Sequence, residues 1–110
     1  MAIKKAQGAN IWFDAVAEDL PALTEQLELA WATWTGKWAL VPVAGGTAAL
    51  SGDLTRSTTV GTFEGRVGAS ETVAVPVGKY NLVCQADNAG VDFSDEFAKL
   101  SIEITAALIP

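Results

Sequence analysis

The amino-acid sequence predicts an all-β fold, an antiparallel sandwich of seven or eight strands. Three observations predict it. Apolar residues recur with a period of two, in short runs. Clusters of Gly, Pro, Asn and Asp cut the chain at roughly ten-residue intervals, the spacing of sandwich strands and their turns. Half of the 110 residues are apolar and 18% are charged, which suits a packed core rather than a disordered chain. Residues 1–110 are expected to form a single domain, because one core usually takes about 100–200 residues.

The first clear strand runs from Ile11. Ile11, Phe13, Ala15 and Ala17 alternate with Asn10, Trp12, Asp14 and Val16, between Gly8 and the Glu18-Asp19-Leu20-Pro21 break. Thr24–Trp31 alternates too, with Leu27, Leu29 and Trp31 on one side, and reads as a second strand. Thr35-Gly36-Lys37 reads as a turn. Trp38–Val41 follows as a strand that Pro42 ends, since proline cannot donate to a central ladder.

Leu54–Val60 and Thr62–Val67 are β-rich runs bounded by Gly52 and Gly61, with Phe63 and Val67 on one face. Thr72–Val75 is a short strand stopped by Pro76. Lys79–Ala86 is the strongest strand, with Tyr80, Leu82, Cys84 and Ala86 in phase. Asp87-Asn88-Ala89-Gly90 has hairpin-turn chemistry. Asp95–Leu100 reads either as a short helix capped by Ser94 or as the first half of the last strand. Leu100, Ile102 and Ile104 close the pattern.

Composition excludes much chemistry. The chain has no histidine, which removes Ser-His-Asp triads, histidine-metal sites and imidazole switches. Its one cysteine, Cys84, has no partner for an intrachain disulfide and lies in an apolar run, so it belongs to the core. Seven basic and thirteen acidic residues give a net charge of −6, which opposes binding to nucleic-acid phosphates. No apolar run approaches the ~18 residues that a membrane span needs. No signal peptide follows Lys4-Lys5, and a single thiol fits a cytoplasmic site of synthesis.

The remaining groups are weak as sites. Asp14, Glu28, Asp87, Asp92, Asp95 and Glu96 fall mostly on outward faces or in turns, and a domain this small rarely offers the cleft that paired-carboxylate catalysis needs. The Asp87–Glu96 loop carries several oxygen ligands for calcium but lacks the EF-hand spacing. Ala44-Gly45-Gly46-Thr47 is a turn without a phosphate-loop lysine. No catalytic residue, metal ligand or cofactor is therefore expected.

The four tryptophans are more informative. Trp31 and Trp38 share phase with core residues. Trp12 shares a face with Asn10 and Asp14, and Trp34 falls opposite Trp31. Trp12 and Trp34 are thus the expected exposed aromatics, marking a protein interface or a sugar platform. Lys4 and Lys5, the one adjacent basic pair, could dock an N-terminal arm on an acidic neighbour.

The order of these segments resembles a group of phage virion proteins with an immunoglobulin-like β-sandwich, among them the N-terminal domain of baseplate upper proteins and small tail or head-decoration modules. Met1–Gly8 resembles their opening strand, leading through a glycine to Ile11-Trp12-Phe13. Phe63-Glu64-Gly65-Arg66-Val67 resembles a core-facing strand. Val75-Pro76-Val77-Gly78-Lys79-Tyr80-Asn81-Leu82-Val83 is similar to their Pro-x-Gly-x-Tyr lead into a strand, and Leu100–Ile104 resembles their last one. Glu18–Leu23 replaces the usual short Asp-Gly turn.

The resemblance implies a non-enzymatic structural component of a virion, in tail, baseplate or capsid decoration. It would be made in the host cytoplasm and assemble with copies of itself and other virion proteins. Trp12, Trp34, Lys4 and Lys5 are the expected contact residues. The alternative is a sandwich module that recognises a cell-surface glycan or protein.

Overall fold

A computed structural model describes residues 3–107. Seven strands occur in the order β1 (Ile3–Ala6), β2 (Ile11–Val16), β3 (Thr35–Pro42), β4 (Leu50–Arg56), β5 (Thr62–Val67), β6 (Gly78–Asn88) and β7 (Phe93–Thr105). Two short helices interrupt them, α1 (Leu20–Gln26) and α2 (Ala69–Thr72). The strands form one sheet in the order β1-β7-β6-β3-β4-β5-β2. The sheet turns at β4, whose first five residues pair with β3 and whose last two, Thr55 and Arg56, pair with β5. It therefore curls, barrel-like, and brings β2 alongside β7.

The all-β class and seven strands match the expectation, but the sheet is mixed rather than antiparallel. β1 runs parallel to β7, with Ile3 opposite Ile102 and Ala6 opposite Thr105. A terminal strand whose neighbour is the distant last strand has no hairpin to force the antiparallel sense.

One face of each strand from β2 to β7 fills the interior. Ile11, Ala15, Trp38, Leu40, Phe63, Val67, Tyr80, Leu82, Cys84, Ala86, Ile102 and Ile104 are all buried in one cluster. Two aromatic rings, of Trp38 in that cluster and of Phe13 packed against it, lie close against glycines across the ladder. A Cβ on Gly52 would lie 2.8 Å from the Trp38 ring, and one on Gly65 would lie 2.0 Å from the Phe13 ring. The glycines give the rings their room.

Thr24–Trp31, Thr35-Gly36-Lys37 and Thr72–Val75 depart from the sequence reading. Thr24–Trp31 is no strand. Pro21 sits at the start of α1, where a fixed φ and missing N–H suit a first turn, and Ala22, Leu23, Glu25 and Gln26 are good helix formers. Glu28, at φ 52°, ends it, and Leu27 is exposed. Thr35-Gly36-Lys37 is the start of β3 rather than a turn; Gly36 is there because Phe63 and Leu54 occupy the space a Cβ would need. Thr72–Val75 belongs to α2 and the turn after it. The Glu71 carboxylate accepts from the Gly68 N–H at 3.2 Å, and the buried Thr72 hydroxyl donates to Ala9 O at 2.7 Å. Of the two readings left open for Asp95–Leu100, helix or strand, the structure has strand throughout.

Pro42 is the last residue of β3, so the strand ends at the proline as the sequence predicts. Val43 N–H donates to Lys79 O, which sets the alternation so that Pro42's nitrogen faces away from β6, on the side where β4 no longer pairs.

Candidate functional site

The expected contact residues separate. Trp12 lies on the outer face of β2 and is 67% exposed. The Arg66 guanidinium sits 5.5 Å from its ring centroid, a cation–π contact. Arg66 also donates to Phe13 O at 3.0 Å and lies 3.8 Å from Asp14 and 3.7 Å from Glu64. The guanidinium thus lies over one face of an otherwise exposed indole.

Trp34 corrects the sequence reading. It is 0% exposed and packs edge-on against Phe93, with ring centroids 5.2 Å apart. It is a core residue and cannot anchor a contact surface in the folded chain. The phase argument failed because Trp31–Thr33 forms a turn of 3-10 helix, which breaks the period of two before Trp34. Trp31 instead is half-buried, and its Nε1 donates to Ser57 O at 2.8 Å.

Lys4 and Lys5 both lie on β1, at one end of the sheet. The Lys4 ammonium is 3.8 Å from Glu103, with its side chain 75% exposed, a pair of little energetic weight. Lys5 is less exposed, on the inward side with Ile3, because Ile3 and Lys5 stand opposite the buried Ile102 and Ile104.

Sequence reasoning missed a cleft of about 560 Å³ between the end of β2 with α1 and the first half of β7. Its apolar lining includes Leu20, Leu23, Phe93 and Phe97, and it carries the carboxylates of Glu18, Asp19, Asp95 and Glu96. A β-bulge shapes it. Cys84 pairs with Ala98 but Gln85 with Glu96, so Phe97 is an extra residue in β7. Phe97 reaches Phe63, with centroids 5.7 Å apart. Before the bulge, Asp95 stands opposite the buried Ala86 and so lies on the inner face of β7, although the cleft leaves it exposed. The alternating signal of a strand cannot reveal such a reversal of phase.

Among the described residues, no three Cys, Asp or Glu side chains come together in a way that could hold a metal ion. In the Asp87–Glu96 segment, Asp87 Oδ1 accepts from Gln85 Nε2 at 2.9 Å, and Asp92 occupies a left-handed turn at φ 52°. The Cys84 thiol is fully buried, and burial raises its pKa to about 11. Among the described residues, no helix is long and apolar enough to cross a membrane.

No protein-family model matches the chain, and a search of curated proteins finds no match.

Proposed function

We propose that the chain is an immunoglobulin-like sandwich module acting as a non-enzymatic structural part of a phage virion, in tail, baseplate or capsid decoration. It assembles with copies of itself and with other virion proteins, after synthesis in the host cytoplasm. Three features support the immunoglobulin-like reading. The strands β2, β5 and β4 follow one another as the B, E and D strands of that fold do, and β3, β6 and β7 as C, F and G. Trp38 is a buried tryptophan on the strand equivalent to C. The Tyr80 hydroxyl donates to Pro76 O at 2.6 Å, the contact of a tyrosine corner at the start of strand F.

The observation that carries the functional reading is the exposed Trp12 on an edge strand. Aromatic anchors of this kind supply most of the energy in protein interfaces. Val16, 55% exposed, lies on the same outer face of β2 and extends the apolar surface. A sugar platform is the second reading, favoured by Asn10 and Asp14 beside the indole, but Arg66 covers one face of the ring.

Light scattering across a dilution series tests the proposal. The expected result is a mass above the 11.5 kDa monomer that falls on dilution, with Trp12→Ala weakening association at least about tenfold. A monomer at every concentration, alone and with candidate virion partners, overturns it.

A further inference from the structure

The cleft beside β7 is bounded by two strand edges that carry unpaired backbone groups. Ala17 N–H donates to Gly61 O, which sets the alternation along β2. Trp12, Asp14 and Val16 therefore point their N–H and C=O groups away from β5, with no strand beyond them among the described residues. On β7, the same reasoning from Val43 and Lys79 turns Ser94, Glu96 and Lys99 away from β6. β1 covers β7 only from Ile102 to Thr105. The seam between the β2 end and residues 94–99 thus has an apolar floor, a backbone edge on each side and an acidic rim. Such a seam is a seat for one extended segment.

We infer that the occupant is β1, Ile3–Ala6, of a second copy of this chain. The inference rests on the self-assembly reading above and deepens it. Charge selects the segment: Lys4-Lys5 is the one adjacent basic pair in the chain, and the seam carries Glu18, Asp19, Asp95 and Glu96.

Alternation matches as well. Ile3 and Lys5 share one face of β1, so Ile3 meets the floor of Phe93 and Phe97 while Lys5 meets the inward Asp95. Lys4, on the other face, meets Glu96 at the rim. In its own chain β1 is held lightly. It is a four-residue parallel edge strand with Ile3 44% exposed, and it joins β2 through Gly8 at φ 83°. The resulting contact is head-to-tail, arm into seam, which closes a ring or extends a filament according to the rotation between copies.

A charge-exchange experiment by sedimentation velocity tests this. The double variants Asp95→Lys with Glu96→Lys, and Lys4→Glu with Lys5→Glu, change exposed residues apart from the half-buried Lys5, and a melting curve confirms that each folds. Each alone is expected to associate at least tenfold more weakly than the unaltered chain. Mixing the two is expected to restore association, because each variant's arm then complements the other's seam. Association unchanged in both variants, or no recovery on mixing, overturns the seam while leaving assembly through another surface intact. An unaltered chain that never associates overturns the assembly reading itself, and the seam with it.

Discussion

Replacing Trp34 and Trp12 by alanine, one at a time, separates a core indole from a surface one. Trp34 is fully buried, and truncating a buried tryptophan costs about 3–5 kcal/mol. One term reduces the loss: Trp34 Nε1 is buried and finds no hydrogen-bond partner among the described residues, so its removal relieves a desolvation penalty. The expected cost is therefore near the lower end, about 3 kcal/mol. For a domain near 100 residues each kcal/mol moves the melting temperature by about 4–8 °C, so Trp34→Ala should fall by roughly 12–24 °C.

Trp12→Ala removes an exposed ring and its contact with Arg66, about 0.5–1 kcal/mol at an exposed site. Its melting temperature should stay within about 8 °C of the unaltered chain. Calorimetry at the lowest workable concentration, where association contributes least, makes the comparison. Equal shifts for the two variants, or a larger one for Trp12→Ala, would refute the placement of both rings.

Two further outcomes follow from the packing. Gly65→Ala puts a methyl 2.0 Å from the Phe13 ring, which must swing off the ladder. A loss of about 1–3 kcal/mol in urea unfolding is expected, and Phe13→Ala in the same chain should recover part of it. Cys84 is raised from 9.0 to about 11 by burial, so the folded state holds its proton more tightly than the unfolded state. Its contribution to stability is level below pH 9 and declines as pH rises from 9 towards 11. A thiol reagent at pH 8 should accordingly label Cys84 only after unfolding; rapid labelling of the native chain would contradict its burial.

The fold class was legible because burial follows alternation on β2, β5 and β6. Ile11, Ala15, Phe63, Val67 and the Tyr80–Ala86 series all face inward as their phase predicts. Legibility failed where local chemistry competed with alternation. Pro21 with a run of helix formers outweighed the regular Thr24–Trp31 pattern, and Glu71 reaching back to Gly68 turned Thr72 into a helix.

Trp12 was placed correctly because β2 is continuous, whereas Trp34 was misplaced because a turn of 3-10 helix resets the phase just before it. The seam was invisible for another reason. It depends on which strands lack a neighbour and on a bulge at Phe97, and neither long-range pairing nor one extra residue leaves a periodic trace.

The central claim is that the outer edge and face of β2 are built to be covered by another protein chain. Amide hydrogen exchange, measured on dilute and on concentrated protein, tests it most directly. Trp12, Asp14 and Val16, whose N–H groups point away from β5, should exchange at least about tenfold more slowly once copies associate, while the β3–β6 interior keeps its rate. Unchanged exchange at these three amides, with new protection appearing on a different surface, would contradict it.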